Sequence, residues 1–243
     1  MKKLLRMLRD LLFVPRCAGC GERLSCGAGV LCPTCHAAYE MEKARSCPYC
    51  GHTFATCHCA GEFLQKNRLE TVVKLFQYYP KDAEAVPNRM VYLLKHRAPR
   101  PLVELLSEDL AAALSPVLAT AKKPILVTFA PRSRAALRRH GFDHMADLSR
   151  AVADRLGLSW RPLISRRDGG EQKKKLTRSA RLANMKNAYT YVGKERLGGY
   201  HILLLDDVTT SGATLLAAAR TLRRAGARDL TPAVLGATLL SEQ

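Results

Sequence analysis

HILLLDDVTTSGAT, residues 201–214, sets four apolar residues ahead of two carboxylates and follows them with a run of hydroxyl-bearing and small side chains. An unbroken apolar run of that length fits a strand buried on both faces of a parallel sheet. Asp206 and Asp207 fall where such a strand is expected to end, and open α/β sheets bind ligands at the carboxyl ends of their strands. Val208, Thr209, Thr210, Ser211, Gly212, Ala213 and Thr214 then lead into a helix, so backbone N–H groups and hydroxyls converge on an anion at its N-terminus. A monophosphate fits there, with the acid pair where a bound pentose would present its hydroxyls or an associated Mg²⁺. The pattern points to a phosphorylated ribose. An ordinary βα turn capped by an Asp pair is the plainer alternative, against which the hydroxyl cluster and glycine weigh. No G-x-x-x-x-G-K-[ST] occurs, so an ATPase reading lacks its lysine.

The surrounding chain alternates in the same way. Leu69–Tyr79, Ile125–Phe129, Ala188–Val192, His201–Leu205 and Leu230–Leu239 read as strands, and Asn88–Lys95, Leu102–Leu118, Phe142–Leu156 and Ala213–Arg224 as helices. Strand, helix, strand at these lengths implies right-handed crossovers and a central parallel sheet.

All nine cysteines lie between Cys17 and Cys59. This composition break, near Gly61, divides the 243 residues into an N-terminal segment (1–16), a cysteine-rich module (17–60) and an α/β domain (61–243). The module is too short and polar for a core of its own. Its close cysteine pairs suggest two tetrahedral thiolate sites that replace that core with zinc: Cys17, Cys20, Cys32 and Cys35 in one, Cys47, Cys50, Cys57 and Cys59 in the other. The last pair is C-x-C, so His52 or His58 stays open as a substitute ligand in the second site. Four thiolates leave no free position on the ion, which makes both sites structural. Cys26 is left over, and an odd count argues against a disulfide framework.

Thirty-nine Lys and Arg against 21 Asp and Glu give a formal charge of +18, which attracts polyanions without ranking nucleic acid, phosphorylated metabolites or an anionic membrane. Leu4, Leu5, Leu8, Leu11 and Leu12 recur at helical spacing in a basic amphipathic N-terminal helix, expected to dock on the body of the protein, with a membrane-surface contact as the alternative. Arg6, Arg9 and Asp10 interrupt any signal-peptide reading, and the cytoplasm is the expected compartment.

LLLDDVTTSGAT resembles the 5-phosphoribosyl-1-pyrophosphate (PRPP) binding motif of type I phosphoribosyltransferases, and with the cysteine pairs the chain resembles the ComF family of competence-related proteins. Lys95 in VYLLKHRAPR matches that family's lysine segment. Pro131-Arg132-Ser133 with Gly141-Phe142 resembles its P-x-P-x-S…R-G-F-N-Q stretch, and Arg181, Asn184, Ala188 and Tyr189 keep its R-x-x-N-x-x-x-A-[FY] spacing. The resemblance implies a type I phosphoribosyltransferase fold behind a double zinc ribbon. It further implies a loop from Asp207 to Thr214 for the 5′-phosphate, Asp206 and Asp207 on the ribose, and Pro131, Arg132, Ser133 and Arg134 on pyrophosphate with Mg²⁺. In a transferase, Asp206, Asp207 and Arg132 would carry catalysis, with Lys95 adding charge and the acceptor unspecified. Phe129 stands where the first proline is usual, and His140, Asp143 and His144 replace Arg, Asn and Gln, so the pyrophosphate and acceptor subsites look altered.

The same resemblance implies a role in uptake of single-stranded DNA, with that DNA and an uptake helicase or translocase as partners. Arg166, Arg167, Lys173, Lys174, Lys175, Arg178 and Arg181 could follow a phosphate backbone, with Tyr189 or Tyr191 as a stacking face, or close over pyrophosphate as a lid. A nucleobase-salvage enzyme with a structural zinc appendage is the remaining reading.

Overall fold

The computed structural model describes residues 15–25, 29–167 and 188–238. The expected N-terminal helix up to residue 14, Cys26, and the basic residues Lys173, Lys174, Lys175, Arg178 and Arg181 lie outside them.

Five strands form one parallel sheet: β1 (Val73–Gln77), β2 (Ile125–Phe129), β3 (Ser159–Trp160), β6 (His201–Thr209) and β7 (Asp229–Ala237), in the spatial order β1-β7-β6-β2-β3. A two-stranded antiparallel flap, β4 (Ile164–Arg166) with β5 (Tyr189–Tyr191), stands apart from it. The helices are α1 (Pro33–Ala44), α2 (Glu62–Gln65), α3 (Val86–His96), α4 (Arg100–Leu118), α5 (Arg134–His140), α6 (His144–Leu156) and α7 (Ala213–Arg224).

The two-residue period of β6 divides its side chains between two cores. Leu203 and Leu205 join the apolar stripes of α4 (Leu102, Leu106, Leu110, Leu114), α6 (Met145, Leu148, Val152) and α3 (Met90, Val91, Leu94). Ile202 and Leu204 face Leu215, Ala218 and Leu222 of α7, together with Leu64, Leu163 and Tyr189. Strands buried on both faces read as continuous apolar runs, which is why His201–Leu205 stands out in the sequence.

The cysteine-rich module shares the first of these cores. Cys17, Leu31, Cys35 and Tyr39 belong to the same buried cluster as Val73 and Phe76 of β1. The Tyr39 ring meets Phe76 edge-on at 5.9 Å, and its hydroxyl donates to Asp109 of α4 at 2.7 Å. Lys74 of β1 is 4% exposed and donates to the Cys59 carbonyl at 2.6 Å.

Three expectations need correction. The strand at His201 continues through the acid pair to Thr209, because β7 keeps pairing with it (Asp206↔Val234, Thr209↔Ala237) after β2 has ended at Phe129↔Leu205. The start of the basic stretch, read as a backbone-following or lid segment, is instead a strand, since Ile164–Arg166 pairs with Tyr189–Tyr191. Tyr189 is 3% exposed and packs in the core, so it offers no stacking face, and the half-buried Tyr191 donates its hydroxyl to the Glu195 carbonyl at 2.6 Å. Among the described residues, no helix is long and apolar enough to cross a membrane.

Candidate functional site

The register of β2 against β6 fixes the site. Phe129 lies opposite Leu205, and the Ala130 N–H donates to the Leu205 carbonyl at 2.8 Å, so the turn after β2 meets the acid pair at one edge of the sheet. Strand alternation then sends the two carboxylates to opposite faces. Asp207 points to the side of α3 and α6, where His144 Nε2 lies 2.7 Å from Oδ2 and Lys95 Nζ 3.2 Å from Oδ1. Asp206, 7% exposed, points to the flap side, and its Oδ1 accepts the Asp207 N–H at 3.0 Å.

Their surroundings push the two acids apart. Burial raises Asp206 well above the usual carboxylate range and the charge of Asp207 raises it further, with only partial relief from the Asp207 N–H, Lys95 and Arg166. Burial also works to raise Asp207, but the hydrogen bond from His144 and the charge of Lys95 outweigh it and leave Asp207 below its ordinary value. The adjacent carboxyls thus form a pair in which Asp207 holds the negative charge and Asp206 favours its proton.

Arg132 lies against this pair. Its backbone N–H donates to Asp143 Oδ2 at 2.9 Å, its Nε to His144 Nδ1 at 2.8 Å and its Nη2 to the Lys95 carbonyl, while the guanidinium sits 5.6 Å from the Phe142 ring centroid. Nη1 is buried without a partner. Ser133 caps α5 by accepting the Ala136 N–H at 3.2 Å, which leaves Arg134 exposed on its first turn. The structure therefore gathers Asp206, Asp207, Lys95, Arg132 and Ser133 at one edge, with Arg134 on the rim.

Asp143 and His144, which the sequence presents as departures from a familiar stretch, are built into this network. Arg166, taken from sequence as a nucleic-acid candidate, is bridged through its backbone to Ser133 and lies 5.8 Å over the Tyr189 ring, on the Asp206 side. Arg167, its neighbour on the opposite strand face, donates to Thr190 Oγ1 at 2.7 Å and lines a groove of about 340 Å³ with Tyr191, Thr221 and Arg224. The Tyr189 hydroxyl is buried without a partner. The sequence singles out both Tyr189 and Arg166 but not their place beside Asp206, because nothing local shows which way a three-residue flap strand faces.

Beyond Asp207, β6 gives way to Thr210, Ser211 and Gly212, half-buried or exposed apart from the glycine, ahead of α7. Gly212 has φ +77° in the left-handed region, and a Cβ there would come within 2.6 Å of Leu64 Cγ. Glycine is needed on both counts. The first N–H groups of α7 have no carbonyl within the helix to bond and point into the loop, as an anion site requires.

A second constellation lies in the cysteine-rich module. The sulfurs of Cys17, Cys20, Cys32 and Cys35, and those of Cys47, Cys50, Cys57 and Cys59, each fall within 4.8 Å of one another, so each set can hold one metal ion. The sulfurs of Cys57 and Cys59 lie 3.1 Å apart, so the C-x-C pair closes the second set and neither His52 nor His58 belongs to it. Backbone N–H groups of Gly19 and Cys32 donate to Cys17 Sγ at 3.4 and 3.2 Å. Within the second set, burial works to raise the Cys57 thiol, but Lys74 and the neighbouring cysteines outweigh it and bring it down to about 6, while burial and the Cys57 sulfur push Cys59 up, so the first thiolate of the set forms at Cys57.

No family model and no curated protein matches the chain. Solved structures to which it is similar include hypoxanthine phosphoribosyltransferase from Trypanosoma cruzi (14% identity, 58% of this chain and 72% of that one, TM-score 0.36). Adenine phosphoribosyltransferase from Saccharomyces cerevisiae is another (17% identity, 57% and 71%, TM-score 0.35). A third is the allosteric regulatory enzyme of purine biosynthesis (14% identity, 59% and 30%, TM-score 0.39).

Proposed function

We propose that this chain binds PRPP at the edge of the sheet formed by β6 and the turn after β2, in the manner of a phosphoribosyltransferase, and that its two cysteine clusters hold structural zinc. The observation that carries the reading is the acid pair on β6, with Asp207 bonded to His144 and Lys95, Arg132 bonded to the far side of His144, and the small-residue loop into α7 immediately beyond. The loop Thr209–Thr214 takes the 5′-phosphate through α7 N–H groups and hydroxyls. Asp206 and Asp207 hydrogen-bond the ribose hydroxyls. Arg132 and Lys95 take the pyrophosphate, which arrives with Mg²⁺ as part of the substrate.

In a transfer reaction, the C1–oxygen bond to pyrophosphate breaks with its electron pair leaving on that oxygen, and a bond from the acceptor to C1 forms. Positive charge grows on the ribose beside Asp207 and negative charge on the leaving group beside Arg132, an arrangement that lowers the barrier electrostatically. Asp206, in its protonated form, donates to a ribose oxygen and takes no proton from the acceptor.

Calorimetric titration of the zinc-loaded protein with PRPP, with and without Mg²⁺, tests the reading. Saturable binding that disappears on Asp206→Ala with Asp207→Ala is expected, and equal affinity in the double variant refutes it.

Handling of single-stranded DNA in natural transformation, as the ComF resemblance implies, is the proposed setting for this site. The exposed Arg134, Arg138 and Arg139 on α5 and the net charge of +18 favour contact with a phosphate backbone. Affinity for an oligonucleotide should fall steeply with added salt, and a flat salt dependence counts against it.

A further inference from the structure

The hydrogen bonds around Asp207 close into a ring. Asp207 Oδ2 meets His144 Nε2, His144 Nδ1 meets Arg132 Nε, Arg132 Nη2 meets the Lys95 carbonyl, and Lys95 Nζ returns to Asp207 Oδ1. Four segments, namely β6, α6, the turn after β2 and α3, are locked together by it. Its polarity is fixed by arginine, whose Nε always carries a proton and can only donate. His144 Nδ1 must therefore be the acceptor, which places the imidazole proton on Nε2, aimed at Asp207. His144 is 3% exposed, so water does not compete for either nitrogen.

We infer that His144 is a positioning residue: as the Nε2–H imidazole it links the carboxylate at the ribose end of the site to Arg132 at the leaving-group end, and it turns Arg132 so that the unpartnered Nη1 meets a pyrophosphate oxygen. This rests on the PRPP reading for the identity of the anion. Two of the three guanidinium nitrogens are spent on the ring, and the third is buried with nothing to bond. A buried N–H of a charged group without a partner is costly, and an anionic oxygen at that point removes the cost. Glutamine offers the same pairing of one acceptor and one donor, whereas leucine offers neither.

The experiment uses the full-length, zinc-loaded protein with three probes: PRPP, magnesium pyrophosphate and ribose 5-phosphate. His144→Leu is expected to weaken PRPP and pyrophosphate on the order of tenfold, to weaken ribose 5-phosphate by a clearly smaller factor because Asp207 keeps Lys95 as a partner, and to be rescued by His144→Gln. The ¹⁵N spectrum of the histidine rings should show His144 protonated at Nε2 alone, with Nδ1 shifting when Arg132 is changed to Met. Equal loss of all three probes in His144→Leu, failure of the Gln rescue, a proton on Nδ1, or a wild-type protein that ignores pyrophosphate would each overturn the assignment. Pyrophosphate binding with no affinity for ribose 5-phosphate removes the PRPP reading alone and leaves the role of His144 standing.

Discussion

Asp206→Asn should stabilise the folded protein while it weakens the site. Asp206 is buried at the end of the core that Ile202 and Leu204 begin, beside a second carboxylate, and its main compensation is one hydrogen bond from the Asp207 N–H. Taking a carboxylate out of water costs several kcal/mol, and a hydrogen bond to the charged group returns about 1.5–3 kcal/mol. The uncompensated remainder is about 1–3 kcal/mol, and asparagine removes it while keeping an oxygen for the same N–H. The sign follows from the raised pKa of Asp206. A group whose folded pKa lies above its unfolded value contributes stability that is complete below the unfolded pKa and is lost as pH rises through the folded one. The variant and the wild type should therefore be close near pH 4, with the advantage of the variant growing as pH rises and reaching roughly 3–8 °C in melting temperature at pH 8. Thermal and urea unfolding at several pH values measures it. A variant less stable than wild type throughout, or a difference independent of pH, would show that Asp206 is not held against its charge.

Tyr189→Phe deletes a buried hydroxyl that has no partner, so the unfolding free energy should stay level or rise by up to about 1 kcal/mol; a loss of more than that in urea titration would mean the hydroxyl is bonded in solution. Gly212→Ala forces a left-handed φ on a residue with a Cβ and drives that Cβ into Leu64, at a cost of about 1–3 kcal/mol together with weaker phosphate binding. Unfolding curves and calorimetry read both effects, and an unperturbed variant refutes the contact. Elemental analysis should find two zinc ions per chain, and chelation should abolish the cooperative melt of the whole protein because Cys17 and Cys35 share a buried cluster with β1. A chelated protein with an unchanged melt would show that the knuckles contribute nothing to the core.

The sequence carried most of the sheet because β2 and β6 are buried on both faces and so read as apolar runs, and Ile125–Phe129 and Ala213–Arg224 have in the structure the bounds that periodicity suggests. Helix α5 was invisible since it buries no residue and so has no stripe to find. Of the flap, β5 lies inside the strand expected at Ala188–Val192, whereas β4 was hidden, being three residues set in a basic stretch. In the site, the acid pair and loop announce themselves by local spacing. The partners of that pair do not, because they come from α3, the turn after β2 and the N-terminus of α6, which only the strand register brings together. His144 looked like a departure from a motif. Its ring nitrogens reveal a role only once Arg132 and Asp207 are seen on either side.

Lys74 bears on where the chain can be divided for expression. A fragment begun at the composition break near residue 61 would retain every strand and the whole acid site, yet it would lose Cys59, whose carbonyl is the acceptor for a lysine buried in β1. Such a fragment inherits an orphaned ammonium in its sheet, and a buried charge stripped of its partner is strongly destabilising. Replacing Lys74 with methionine would remove that charge, but a usable shortened protein still has to keep the cysteine-rich module, since Cys17, Leu31, Cys35 and Tyr39 cover β1 as well.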